Sequence, residues 1–207
     1  MKVKLTNDIA SISLSDIFFT SLTAIAIAAA LKMFVLGAFQ IPSSSMERTL
    51  LPGDFIMVSK LAFNIGAVER GDIIVFDAPP STRIDERQDA LIKRVVGVPG
   101  DTIKLTANVV YVNGNEQPNP PLSASTNLVV PDLLPIAGNI ERTVVVPDKH
   151  YFVLGDNRAN SYDSRFWGFL HESTIVGAPL FVYWSYGTSS ADSNRHVRWD
   201  RIFQSIR

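Results

Sequence analysis

One long apolar run restricts where this chain can fold. Residues 17–31 are almost entirely apolar, Lys32 interrupts them, and residues 33–39 continue the pattern. The first part alone would give a helix of about 22 Å, which is shorter than the ~30 Å hydrocarbon core of a bilayer. Counting to residue 39 makes the segment long enough, provided that Lys32 extends its amine to an interface. We therefore predict a polar tail at 1–16 and a transmembrane helix at 17–39.

Two other interpretations of the run stay open. A cleaved signal peptide has a short apolar core and a small-x-small site, which Ala28-Ala29-Ala30 could supply, and a buried core helix is the other possibility. Lys2 and Lys4 give a weak positive-inside signal. We expect an uncleaved single-pass anchor in the inner or plasma membrane, with its N-terminus in the cytoplasm and everything after Phe39 on the extracytoplasmic side.

The composition excludes several classes of site. The chain has no cysteine, so disulfides, thiolate metal sites and a cysteine nucleophile are ruled out. Its three histidines, His150, His171 and His196, are far apart and lack the spacing of metal ligands. We therefore predict no metal and no cofactor. A net charge of −1 gives no electrostatic footprint for nucleic acid, so we expect no nucleic-acid partner.

The residues after Gly53 follow a different pattern, with short runs rich in β-branched residues bounded by turn residues. Such runs are typical of strands, and Asn113-Gly114 is a strong hairpin signal. The predicted strands are residues 55–58, 73–76, 91–96, 103–105, 109–112, 143–146, 151–154 and 178–183. The fold class is therefore mainly β: one membrane helix, an antiparallel β domain at 40–102 and 148–207, and an inserted accessory hairpin and loop lobe at 103–147.

Four polar segments of this β-rich part suggest chemistry. They are Ser43-Ser44-Ser45-Met46, Ile92-Lys93-Arg94, Gly155-Asp156-Asn157-Arg158 and residues 160–165. A serine hydroxyl is a weak nucleophile unless an adjacent base takes its proton. A lysine can be that base only if its pKa falls from about 10.4 to about 7–8, which burial can achieve. The neighbours of Lys93 in sequence are apolar and suit a buried setting.

Taken together and in this order, the segments resemble the type I signal peptidases, which are membrane-anchored serine proteases with a Ser–Lys dyad. Three blocks carry the resemblance: residues 41–46 with Thr49-Leu50 and Gly53-Asp54; residues 92–97 with Pro99-Gly100-Asp101; and residues 155–158 with Ser161, 163–165 and Trp167-Gly168. The resemblance implies that Ser45 is the nucleophile and Lys93 the general base.

The resemblance also implies roles for residues around the dyad. Ser161 corresponds to the serine that hydrogen-bonds the lysine amine and fixes its direction, and Ser43 to a hydroxyl that joins the Ser45 N–H in the oxyanion hole. Arg94 points to the opposite face of its strand from Lys93, because strand side chains alternate. A structural role in scaffold ion pairs is expected for Arg94, Asp156, Asp163 and Arg165. Asn157 and Arg158 are also expected to be structural, and Ala159 stands where the family often has an acid.

The substrate class follows from the same resemblance. The family removes signal peptides from translocated preproteins after a small-x-small motif, typically Ala-x-Ala, so preproteins and membrane lipid are the expected partners. An extended peptide could add as a strand beside residues 91–94 and 40–43. Small apolar pockets are expected to be lined by Ile41, Met46, Leu50, Leu91 and Ile92.

Three other functions stay open at this point. Ser45 could act with His150 or His171 in a Ser-His-Asp hydrolase. The dyad could serve a specialised target, as in a pilin or transfer peptidase, or in a self-cleaving repressor, although a membrane helix argues against the last. The chain could also be a membrane-tethered β binding module without catalytic activity.

Overall fold

The structure is a computed structural model that describes residues 13–79, 90–106, 109–117, 142–189 and 192–207. The predicted polar tail, apart from its last residues, lies outside the described residues. Most of the predicted accessory lobe beyond residue 117 also lies outside the described residues.

Helix α1 extends from Leu14 to Phe34 and is 21 residues long. Ser13 and Asp16 form a capping box at its start, which satisfies N–H groups that the first turn leaves free. At 1.5 Å per residue the helix is about 31 Å long. None of its residues is buried, and its length and the mean hydropathy of 1.9 over an 18-residue window suit a membrane span.

The predicted span of 17–39 is wrong at its C-terminal end. Residues Leu36–Gln40 form strand β1, which pairs antiparallel with strand β2 at Asp54–Ser59. The apolar pattern predicted that the helix continues through these residues, but pairing with a strand distant in sequence makes them a strand instead. Lys60 closes the junction, because its Nζ donates to Met33 O at 3.0 Å and its N–H donates to Val35 O at 2.8 Å.

The described residues form two antiparallel sheets. The larger adds six strands to β1 and β2: β3 (Ile73–Asp77), β4 (Ala90–Gly97), β9 (His150–Leu154), β10 (Leu170–His171), β11 (Ile175–Ser189) and β12 (Asp192–Val197). Its order is β1-β2-β11-β3-β4-β9-β10, with β12 beside β11. The smaller contains β5 (Thr102–Leu105), β6 (Val110–Val112), β7 (Asn115–Glu116) and β8 (Arg142–Val145), in the order β7-β6-β5-β8.

Short helices complete the part of the chain that the structure describes. They are α2 (Ala62–Ile65), α3 (Ser164–Trp167) and 3-10 turns at Arg158–Asn160, Glu172–Thr174 and Trp199–Arg201. Every predicted strand has a counterpart, so the mainly β fold class with an N-terminal apolar helix is confirmed. The strands β1, β7, β10 and β12 were not predicted, because they are short, polar or continuous with the helical pattern.

The core positions the segment that links β1 and β2. One buried apolar cluster contains Ile41, Met46 and Leu50 from that segment, together with residues of β2, β3 and β11. Burial of a side chain of this size contributes about 1.5–3 kcal/mol. The serine-rich segment is therefore fixed to the larger sheet at both of its ends and in its middle.

Candidate active site

The segment between β1 and β2 is a closed loop. The Ile41 N–H donates to Asp54 O at 2.8 Å, and the Gly53 N–H donates to Ile41 O at 2.9 Å. Met46 and Leu50 are fully buried, and the Leu50 N–H donates to Met46 O at 2.8 Å. These contacts fix the backbone immediately beside the predicted nucleophile.

Asp54 holds the base of this loop and was not among the predicted site residues. Its carboxylate is fully buried and accepts from the Leu51 N–H at 2.8 Å, Ser185 Oγ at 2.7 Å and Arg201 Nη2 at 2.6 Å. Arg198 Nη2 lies 3.3 Å away. Burial raises the pKa of Asp54, but the hydrogen bonds from Arg201, Leu51 and Ser185 outweigh it and hold the pKa below its usual value.

The structure brings the predicted nucleophile and base into contact. Lys93 Nζ lies 2.7 Å from Ser45 Oγ, although 48 residues separate the two in the chain. Lys93 is carried by β4 and only 3% of its surface is exposed, and Ser45 is 9% exposed. Ser43 Oγ lies 3.3 Å from Ser45 Oγ. A buried hydroxyl and a buried amine thus meet beside a second hydroxyl, that of the exposed Ser43.

Burial changes the chemistry of the Lys93 amine. It lowers the pKa of Lys93 from 10.5 to about 8, because the charged form loses its hydration. The charges of Asp163 and Asp156 offset part of this effect by favouring the ammonium. At pH 7 roughly a tenth of the lysine is therefore neutral, compared with well under a thousandth at the ordinary pKa. A neutral amine at this distance can accept the Ser45 proton.

Two ion pairs lie beside the dyad. They are formed by the arginines and aspartates that were predicted to form scaffold ion pairs. Arg94 binds Asp156 through two nitrogens, with Nε–Oδ1 2.8 Å and Nη2–Oδ2 2.7 Å, and Thr49 Oγ1 donates to Asp156 Oδ2 at 2.5 Å. Arg165 Nε lies 2.8 Å from Oδ1 of the fully buried Asp163. The first pair links β4 to the segment after β9, and Thr49 joins the loop after β1 to it. The second pair lies within the segment after β9.

Gly155 is the point of closest approach between that segment and the nucleophile. A Cβ added to Gly155 would lie 2.2 Å from Ser161 Oγ and 2.5 Å from the Ser45 carbonyl oxygen, so no larger residue fits. Ser161 is buried beside it, but its Oγ has no hydrogen-bond partner among the described residues. The expected bond from Ser161 to Lys93 is therefore not formed in this structure, in which the Lys93 amine contacts Ser45 Oγ.

Two asparagines complete the support of the nucleophile. The Asn157 N–H donates to Ser45 O at 3.0 Å, and its Nδ2 donates to Ser44 O at 3.1 Å. Asn160 Nδ2 donates to Ser44 Oγ at 2.8 Å. Sequence reasoning gave Asn157 only a general structural role and Asn160 and Ser44 none. No local pattern could have found these contacts, because they join residues more than 100 positions apart.

The dyad lies at the bottom of a groove between the end of β1 and the start of β4. Its lining includes the predicted substrate-binding residues Ile41, Leu91 and Ile92. The other lining residues are Phe39, Gln40, Pro42, Ser43, Ser45, Ile56, Val75, Ala90 and Lys93. The prediction differs from the structure for Met46 and Leu50, which have no exposed surface and lie beneath the groove in the core.

The histidines are placed away from this chemistry. The rings of His150 and His171 contact each other edge to face with centroids 4.9 Å apart, and their Nδ1 atoms contact Asp148 O and Ser173 Oγ. The Ser45 hydroxyl contacts Lys93 and Ser43 rather than either ring. No group of three metal-ligating side chains occurs in the part of the chain that the structure describes.

Replacing Gly155 by alanine is expected to lower kcat/KM for peptide cleavage by about a hundredfold or more, because a displacement near 1 Å at a reacting group costs about that much. The added methyl group would displace either Ser161 or the Ser45 carbonyl. The matched control is Gly66→Ala, whose new Cβ would meet only Ala62 O at 3.7 Å. Cleavage rates that are equal in the two variants would contradict the proposed tight fit at Gly155.

Comparison with known proteins identifies relatives of the chain. A family model described as "Signal peptidase, peptidase S26" matches residues 14–184. A probable signal peptidase I-2 of Synechocystis is 36% identical over 165 residues, covering 80% of this chain and 71% of the relative. A signal peptidase I of Bacillus caldolyticus is 36% identical over 166 residues, covering 79% and 87%. A solved signal peptidase I from Enterococcus faecalis is 29% identical, covers 54% of this chain and 95% of its own, and has a TM-score of 0.37.

Proposed function

The chain belongs to the peptidase S26 family of signal peptidases, and we propose that it removes signal peptides from preproteins by using Ser45 and Lys93 as a catalytic dyad. Its relatives are named signal peptidase I, which supports this activity. The observation that carries the assignment of the residues is the 2.7 Å contact between the Ser45 hydroxyl and a buried Lys93 amine.

The proposed reaction has two halves. Neutral Lys93 takes the proton of Ser45 as the hydroxyl oxygen attacks the scissile carbonyl, and the resulting ammonium donates that proton to the leaving amine. The mature protein departs, and an ester joins the signal peptide to Ser45. Lys93 then takes a proton from a water molecule that attacks the ester, and returns it to Ser45 as the signal peptide leaves.

Ser43 is proposed to stabilise the negative charge that forms on the carbonyl oxygen. Its hydroxyl lies 3.3 Å from Ser45 Oγ. In the tetrahedral intermediate, Ser45 Oγ and the oxyanion are bonded to the same carbon, so the Ser43 hydroxyl is close enough to donate to the oxyanion. The Ser45 N–H would be the second donor. One donor of this kind contributes about 3–4 kcal/mol to the transition state. Ser161, whose hydroxyl is buried beside the dyad and unpaired among the described residues, is proposed to orient the lysine after a change of rotamer.

The groove supports recognition of small side chains before the cleaved bond. A substrate strand that pairs with the end of β1 and the start of β4 would place its side chains against Ile41, Leu91 and Ile92. These branched apolar side chains leave little depth, so alanine fits and larger residues do not. This is the basis for proposing cleavage after an Ala-x-Ala motif.

Helix α1 is proposed to anchor the enzyme with its N-terminus in the cytoplasm and the β domain on the extracytoplasmic side of the cell membrane. Strand β1 follows the helix after one residue and, at about 3.3 Å per residue, advances about 16 Å to the loop that carries Ser45. The active site would therefore lie close to the membrane surface, where signal peptides of translocated preproteins emerge.

Substrate selection is tested with a preprotein that carries an Ala-x-Ala site, incubated with the full chain in maltoside micelles. Mass spectrometry is expected to find one cut, directly after the second alanine. Changing that alanine to leucine is expected to lower kcat/KM about a hundredfold or more, because the groove has no room for three further carbons. The same change at the middle position should alter the rate only a few-fold. Equal cleavage of all three substrates, or no cleavage, would refute the proposed specificity.

The pH dependence of the same reaction tests the base. Only neutral Lys93 can act, and its pKa is lowered to about 8. We expect kcat/KM to rise about tenfold per pH unit below pH 8 and to level off above it. The control is the stability of the parent, measured by thermal unfolding at each pH. An inflection near pH 6.5, the ordinary value for histidine, would instead support a histidine base.

A further inference from the structure

A second cavity of the β domain is unusually rich in arginine. It is open to solvent, has a volume of about 500 Å³ and is lined by Arg48, Thr49, Arg70, Gly71, Arg94, Val95, Val96, Gln117, Asp156 and Arg158. It shares no lining residue with the catalytic groove. The signal peptide is therefore not expected to occupy it, and the proposed cleavage reaction does not explain it.

Two of its four arginines are neutralised and two are not. Arg94 pairs with Asp156, and Arg70 pairs with Asp101, each at 2.7 Å. Arg48 and Arg158 form no ion pair with any residue that the structure describes. Four guanidinium groups against two carboxylates leave an excess of two positive charges at the cavity, which matches the charge of a phosphate monoester.

Arg158 contributes buried donors without a partner to the wall of this cavity. Its Nε and Nη1 are buried and have no hydrogen-bond partner among the described residues. Burial lowers the pKa of the guanidinium, and the neighbouring positive charges of Arg165 and Arg94 lower it further, against the opposite effect of Asp156 and Asp163. Buried charged donors are almost always paired, so two unpaired guanidinium nitrogens beside a cavity are donors that an anion could satisfy.

Arg48 is the fourth arginine of the cavity, and its backbone has an uncommon conformation. Its φ is 94°, a value that residues other than glycine rarely adopt. It lies in the loop that carries Ser45, next to Thr49, which donates to Asp156. The exposed Arg48 side chain is thus at the rim of the cavity, with Arg158 deeper in its wall.

We propose that this cavity is a binding site for a phosphate group, carried by a soluble phosphate ester or by an anionic lipid headgroup. Guanidinium groups bind phosphate oxygens through paired N–H donors, and two of the four that line this cavity, Arg48 and Arg158, have no carboxylate partner among the described residues. The volume exceeds that of a bare phosphate, so the esterified part would also be accommodated.

The test is isothermal titration of the full chain in uncharged maltoside micelles with inorganic phosphate. Sodium chloride keeps the ionic strength constant, because general screening weakens any surface charge. The parent is expected to show one saturable site. Arg158→Gln and Arg48→Gln are each expected to raise the Kd about tenfold, a loss typical of one charge-assisted contact.

The matched control is Arg142→Gln, an exposed arginine on β8, at the opposite edge of the smaller sheet from Gln117. It is expected to change the Kd less than twofold. Absence of saturable binding, or a Kd that the pocket variants and Arg142→Gln alter equally, would overturn the proposal. If Arg158→Gln does not fold by circular dichroism, the exposed Arg48→Gln decides the outcome.

Doped micelles separate the two sources of phosphate. Phosphatidylglycerol in the micelles is expected to compete with inorganic phosphate if a lipid headgroup reaches the cavity, whereas phosphatidylcholine should not. Equal phosphate affinity in both kinds of micelle assigns the site to a soluble ester. Either result supports a phosphate site, provided that the arginine variants weaken binding.

Discussion

Replacing Lys93 by methionine is expected to lower kcat/KM for preprotein cleavage by about 10⁴-fold or more, the loss seen when a serine protease loses its base. Methionine is similar in length to lysine and apolar, so it fills the buried site without supplying a base. Cleavage by the full chain in micelles is measured with the Ala-x-Ala preprotein. Ser45→Ala is expected to be equally inactive, because both residues act in the same step.

The same variant is expected to be more stable than the parent at neutral pH. Lysine has a pKa of 10.5 when unfolded and about 8 when folded, so below pH 8 it is charged in both states and its burial costs about 3 kcal/mol. The gain should shrink as pH rises from 8 and vanish above 10.5, where both states are neutral. The control is Lys149→Met, at an exposed lysine that should affect neither property. Retained activity in Lys93→Met would refute the dyad.

Replacing Asp54 by alanine is expected to lower the free energy of unfolding of the β domain by about 3–5 kcal/mol, the usual cost of breaking a buried ion pair. The change leaves the guanidinium of the buried Arg201 without its carboxylate partner and removes the acceptor of Ser185 Oγ. Denaturation followed by tryptophan fluorescence measures the loss. Activity should fall as well, because Asp54 holds the base of the loop that carries Ser45.

Asp72 offers a matched control for this variant. Both aspartates follow a glycine and accept a backbone N–H from three residues before them at 2.8 Å, but the carboxylate of Asp72 binds no cation in the described structure. Asp72→Ala is therefore expected to cost only about 1 kcal/mol, the value of one hydrogen bond. Because the pKa of Asp54 is lowered, its contribution is present above about pH 4 and lost as pH falls further. Equal losses in the two variants would show that the arginine network adds nothing.

The sequence was sufficient for the fold class because hydrophobic periodicity reports it directly. The runs at 55–58, 73–76 and 91–96 all became strands of the larger sheet. The end of the membrane helix was misplaced, since β1 is as apolar as a helix and only its pairing with β2 distinguishes it. The local sequence pattern therefore predicted the helix and the strands, whereas tertiary contacts determine where each of them ends.

The catalytic pair was predicted from resemblance to a family, but most of the residues that support the pair could not be predicted from the sequence. Ser45 and Lys93 stand in recognisable blocks, whereas the contacts of Asn157, Asn160 and Asp54 join distant parts of the chain. Gly155 belongs to one of these blocks, but the need for glycine there arises only when Ser45 and Ser161 come together. Such contacts have no local signature, because they exist only once the sheets have assembled.

Direct titration of the Lys93 amine is the most decisive measurement. The side-chain carbon next to the amine is labelled in all lysines of the full chain, and its NMR signal is assigned by its loss in Lys93→Met. The Lys93 signal is expected to titrate near pH 8, well below the ordinary lysine value of about 10.4. A Lys93 signal that titrates at the ordinary value would mean that the amine is charged at neutral pH and cannot be the base.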